Sequence, residues 1–130
     1  MNTVDFTDLL LKKYSEKYDV SDDILKEIKR IIIVGLLPDN ILEKRDAARL
    51  IHLLFRYTKI EEDEENWDKA KVLKDLYDCR SCVDHVAQIY VKGIIQSEST
   101  YVFGMRNAVT DKEAFDIVNC VFDKEIRKVP

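Results

Sequence analysis

The chain has 130 residues, the size of one ordinary domain, and a chain of that length buries about two thirds of its unfolded surface around a single core. With 46% hydrophobic and 35% charged residues, three Gly and two Pro, the composition excludes collagen-like and disordered classes. Lys and Arg number 21 against 25 Asp and Glu, and the net charge of −4 excludes a general affinity for nucleic-acid phosphates.

The first stripe, Phe6, Leu9, Leu10 and Tyr14 within residues 5–17, predicts a short amphipathic helix packed as a lid. A second helix opens at the N-cap Ser21, carries Asp22 and Asp23 where the macrodipole favours anions, and ends at Gly35, with Ile24, Ile28, Ile31 and Ile32 inward. After a Pro38-Asp39-Asn40 turn, a third helix over residues 43–57 buries Ala47, Leu50, Ile51, Leu54 and Phe55. Five consecutive acids, Glu61, Glu62, Asp63, Glu64 and Glu65, read as a solvated connector. Trp67, Ala70, Val72 and Leu73 suggest a helix or half-helix. A further helix from about Ser81 buries Val83, Val86, Ala87 and Tyr90 and stops at Gly93. A loop over residues 96–107 leads to Thr110 and Glu113, a capping box that opens a last helix with Ala114, Phe115, Ile117, Val118, Val121 and Phe122 inward. The longest apolar run, Ile31 to Leu37, falls far short of the roughly 20 residues that span a bilayer, so no membrane segment is expected. The amino terminus lacks the features of a secretory signal, and the odd count of three cysteines favours reduced thiols, so the expected compartment is the cytoplasm.

The order of elements repeats. Apolar helix, glycine, two aliphatics, loop, acid-bearing helix start and second apolar helix occur around Gly35 and again around Gly93. Counted back from Phe55 and Phe122, the pairs Leu42 and Val109, Asp46 and Glu113, Ala47 and Ala114, and Ile51 and Val118 coincide without a gap. A helix pair buries only one face, so duplicated units pack on each other to complete a core. The expectation is one all-α domain over residues 1–130, with a weak repeat over 19–58, a second over 75–122, and the first helix joining them in one bundle.

The second copy resembles an S-layer homology repeat in Asp75-Leu76, Gly93-Ile94-Ile95, Phe103-Gly104 and Val109-Thr110-Asp111-Lys112-Glu113-Ala114. Asp19-Val20, Gly35-Leu36-Leu37 and Leu42-Glu43-Lys44-Arg45-Asp46-Ala47-Ala48 form a shorter copy. The resemblance implies helical repeats gathered around a pseudo-threefold axis and used to hold a pyruvylated wall polysaccharide. It also implies sugar-contacting charges at Lys44, Asp46 and Glu113; where the family has Arg, the second copy has Asp111, whose sign would repel an anionic sugar. The same resemblance makes Phe103 a packing residue.

Cys79, Cys82 and His85, at spacings of three, could close on zinc at a helix start with Cys120, or else His52, as fourth ligand; otherwise Cys82 is a small core residue, Cys79 a loop thiol and His85 a surface residue, and no cofactor is required. His52 reads as core, and no nucleophile, base and orienting acid fall into a recognisable pattern. Tyr101 and Met105 are apolar residues on a long loop, the sort that form a contact patch. The leading expectation is a non-catalytic, intracellular protein-binding module that engages a protein partner or a second copy of itself through the acidic block, Tyr101 and Met105. Its sharper form is an acidic inhibitor, of phage or mobile-element origin, that occupies the surface of a basic nucleic-acid-binding host defence protein. Wall-polysaccharide binding and a small zinc protein are the alternatives.

Overall fold

A computed structural model describes all residues, 1–130, and shows an all-α fold. The helices are α1 (Thr3–Tyr18), α2 (Asp22–Ile32), α3 (Lys44–Thr58), α4 (Val83–Val91) and α5 (Asp111–Phe122). Short 3-10 turns at Asp68–Val72, Leu76–Asp78 and Arg80–Cys82 precede α4, and one at Lys124–Ile126 follows α5. No helix is long and apolar enough to cross a membrane.

Local chemistry explains the ends. Ser21 accepts from the Ile24 amide at the start of α2, and at α5 Thr110 and Glu113 exchange side-chain-to-backbone hydrogen bonds, both at 3.2 Å. Gly35 and Gly93 both turn the chain at positive φ, +84° and +76°. Helix α1 is no lid: Phe6 and Leu10 are fully buried, and the helix packs against α2, α3 and α5. The core gathers 30 residues, among them Phe55, Phe103, Ile28, Ile32, Leu50, Ile51 and Leu54. Of the expected core residues, Ile31, Val83 and Phe122 are only half-buried and two more are exposed. Ile24 is 54% exposed at the open start of α2, and Phe115, on the outward face of α5, is 52% exposed.

The starts of α1, α3 and α5 are tied together by main chain. Isolated antiparallel bridges join Asn2 to Ile41 and Glu43 to Ala108. The Leu42 amide donates to Met1 O and the Val109 amide to Leu42 O; likewise Thr3 N donates to Asn40 O and Lys44 N to Asn107 O, each at about 3 Å. The N-terminal ammonium extends the series by pairing with Asp111 at 3.4 Å. In each of the three helices the residue three past the cap is acidic, Asp5, Asp46 and Glu113, where the macrodipole favours a negative charge.

Candidate binding surfaces and the buried ion network

The five-acid block forms a strap across the fold rather than a solvated tether. After Lys59 turns the chain at positive φ, the Glu61 carboxylate receives Arg127 in a two-pronged bond at 2.8 and 2.9 Å, and Lys92 Nζ at 2.9 Å. The Lys92 side chain is 1% exposed and also donates to the Glu62 carbonyl at 2.6 Å. Burial pushes the Glu61 carboxyl up, but the bonds from Arg127 and Lys92 outweigh it and hold the group below the usual carboxylate range. Gln88 bonds both the amide and the carbonyl of Glu64. Of the five carboxylates, those of Glu62 and Glu65 have no cation within 4 Å.

Asp63 opens a chain of imidazoles. Its carboxylate lies 2.7 Å from His52 Nε2 and 3.3 Å from Arg56, and His52 Nδ1 lies 2.9 Å from His85 Nδ1. With Nε2–H donated to Asp63, His52 Nδ1 is left as acceptor and His85 Nδ1–H as donor. Burial lowers both imidazoles; for His52 it outweighs the opposing pull of Asp63, and for His85, with His52, Arg56 and Arg49 adding repulsion, it reaches about 4. His52 is therefore a core residue with a partner on each nitrogen.

The zinc set is not assembled. Cys79 and Cys82 are joined in a disulfide, their Cα atoms brought to 5.2 Å by the Arg80–Cys82 turn, which also overturns the expectation that both thiols are reduced. His85 is turned towards His52, and Cys120, the one free thiol, sits on α5, where burial raises its pKa. No three His, Cys, Asp or Glu groups converge as metal ligands anywhere in the chain.

The expected sugar contacts separate as well. Lys44 is 7% exposed; its Nζ donates to the carbonyls of Gln96 and Phe103 and lies 4.4 Å from the centre of the Phe103 ring. Desolvation lowers its pKa. Lys44 and Glu113 both line a cleft of about 690 Å³ between the 93–98 turn, α5 and the C-terminal segment, together with Gln96, Asn107 and Asn119. Asp46 lies outside that cleft, half-buried near Arg45, and burial raises its carboxyl. Asp75 accepts from the amides of Phe103, Gly104 and Met105, fixing the loop rather than meeting a ligand. That closure explains a further correction: Met105 is 5% exposed, a core residue, while Tyr101 remains 55% exposed as expected.

The sequence reading missed a surface. In the α2–α3 connection, Val34, Leu37 and Ile41 are 60%, 66% and 68% exposed, yet the backbone beneath them is pinned by Val4 N to Pro38 O, Asn40 N to Leu37 O, and an Arg49 guanidinium on Val34 O. The two aliphatics that follow Gly93, Ile94 and Ile95, are by contrast each 3% exposed. Beside them the extended tail lies against Gly93: the Lys128 amide points at Gly93 O at 3.4 Å, and a Cβ on Gly93 would come within 2.8 Å of the Lys128 and Val129 backbone. At Gly35 the same space holds the movable Arg49 guanidinium, 3.2 Å away. The signal for this surface was available in Gly35-Leu36-Leu37 set against a connection too short to fold back over it. No family model, curated protein or solved structure matches the chain.

Proposed function

We propose that the protein is a non-catalytic binding module that docks an apolar segment of a protein partner on the α2–α3 connection. The observation that carries the reading is the trio Val34, Leu37 and Ile41, each more than half exposed on a pinned backbone. Large apolar groups held rigidly in water lose little further freedom on binding and are the usual anchors of a contact. The turn at Gly93 supports it from within the chain, since Ile95, which follows that glycine by two residues as Leu37 follows Gly35, is covered beside an extended segment. The net charge of −4 and the free Glu62 and Glu65 suit a basic partner, including one that binds nucleic acid, although Glu61, Asp63 and Glu64 are engaged internally. A triple Val34→Ser, Leu37→Ser, Ile41→Ser variant should keep its melting temperature and lose partner capture and any self-association in sedimentation velocity. A wild-type protein that stays monomeric and captures nothing, or a variant that captures as well as the wild type, sinks the reading.

A second reading is favoured by one observation. The cleft holding Lys44 and Glu113 carries the amides Gln96, Asn107 and Asn119, donors and acceptors suited to a polysaccharide of the kind that the S-layer homology resemblance implies. Co-sedimentation with purified wall sacculi tests it, and retention in the supernatant removes it.

A further inference from the structure

A disulfide between cysteines three residues apart closes one of the shortest loops a chain can form. It therefore constrains the unfolded ensemble less than a bridge between distant residues does. The bridge also spans a turn that a backbone bond already closes: Cys82 N donates to Cys79 O at 3.0 Å. Stability alone is a weak reason for it.

Its surroundings are those of an exchanging pair. Cys79 is half-buried and lines a shallow hollow of about 270 Å³, whereas Cys82 is 8% exposed behind it. Cys82 occupies the cap position of α4, a nine-residue helix with no side-chain cap. The positive dipole end of the helix lies at Cys82 and favours a thiolate there. Arg80 adds a cation between the two cysteines; Asp78 and Asp84 oppose it from either side. The hollow in front of Cys79 is lined by Arg45 and Arg106 and by the carboxylates of Asp75, Asp78 and Glu98. Arg45 is paired with Glu43 at 2.9 Å, while Arg106 is exposed and makes no ion pair.

We propose that Cys79 and Cys82 are a thiol–disulfide exchange site for a low-molecular-weight thiol, with Cys79 the cysteine attacked and Cys82 the resolving one. In the reductive direction the incoming thiolate attacks Cys79 Sγ. The S–S bond breaks, its electron pair leaves on Cys82 Sγ, which takes a proton from water, and Cys79 is left in a mixed disulfide. A second thiolate attacks the small-molecule sulfur of that mixed disulfide and expels the Cys79 thiolate. Two thiols are thereby oxidised to one disulfide and the protein bridge is reduced to two thiols; the reverse sequence reduces a small disulfide. The inference is independent of the docking surface on the α2–α3 connection.

The test is redox titration of the folded wild-type protein in reduced and oxidised glutathione, followed by acid quench, alkylation and peptide mapping, which separates the pair from Cys120. Interconversion of Cys79 and Cys82 within the range that glutathione buffers, with the helical circular dichroism unchanged, is the result expected. A bridge that stays intact in excess reduced glutathione and opens only in denaturant overturns the proposal and makes the bridge a structural staple. In the Cys82→Ser variant, oxidised glutathione should leave a stable single adduct on Cys79. In the Cys79→Ser variant, the buried Cys82 should be modified at least tenfold more slowly; equal rates overturn the assigned roles.

Discussion

The substitution Glu61→Gln keeps the shape of a buried side chain and removes the charge that three hydrogen bonds converge on. Glu61, Arg127 and Lys92 have side chains 9%, 7% and 1% exposed. Removing one partner from a buried ion pair costs about 3–5 kcal/mol, because the remaining charges stay desolvated. Here each cation keeps other acceptors, Arg127 the carbonyls of Cys120 and Val121 and Lys92 the carbonyl of Glu62, which places the cost near the lower end, about 3 kcal/mol. For 130 residues, at an unfolding entropy of about 2.1 cal/mol/K per residue, that is a fall in melting temperature of about 11 °C. Urea unfolding followed by circular dichroism, with Glu65→Gln as control, measures it; the control should lie within about 0.5 kcal/mol of wild type because Glu65 is exposed and unpaired. A Glu61→Gln protein as stable as that control would refute the view that the acidic strap locks the C-terminal segment to α4.

Acid should weaken the protein in two stages. His85 titrates near 4 in the folded chain against an unfolded value of about 6.5, so protons favour the unfolded state in that interval. Stability is then full above pH 6.5 and lost as the pH falls towards 4. His52 shifts in the same direction and adds to this loss. Glu61, held low, contributes stability that is present above its ordinary value of about 4.5 and lost below it. Denaturant midpoints between pH 7 and 4 should show the first slope in the wild type and a shallower one in His85→Gln; parallel curves would rule out the imidazole pair as its source. At the two glycines the costs should differ. Gly93→Ala forces a Cβ against tail backbone at 2.8 Å and should lose more than about 2 kcal/mol, whereas Gly35→Ala meets a guanidinium that can swing away and should lose about 1–2 kcal/mol, the ordinary penalty of a left-handed residue. Equal losses in urea would mean that the tail does not press on Gly93.

Periodicity and caps were legible because local physics decides them. Ser21, the Thr110–Glu113 box and the stripe Ala47, Leu50, Ile51, Leu54 and Phe55 all took their expected places. What failed was decided by distant partners. The charge of Glu61 is compensated by Lys92 and Arg127, the second of them 66 residues away, and a run of acids read without those partners suggests solvent. Met105 is buried because the Asp75 carboxylate gathers three consecutive amides from across the fold, and Lys44 because the carbonyls of Gln96 and Phe103 receive it. The Cys79–Cys82 spacing was visible, but whether such a pair takes zinc or closes on itself depends on where His85 and Cys120 are carried, which the short motif does not encode.

The main-chain clasp at the helix starts has a consequence for how the chain acquires its shape. Met1 reaches Leu42 and Leu42 reaches Val109 across long stretches of sequence, so neither contact can arise from a local turn, and each must close a large loop before it returns any free energy. Fragments of the protein are left with unpartnered termini at that end, and assembly becomes a concerted event in which first, middle and last segments meet together. The amides of Leu42, Lys44 and Val109 then belong to the slowest-exchanging class, opening only when the whole molecule does.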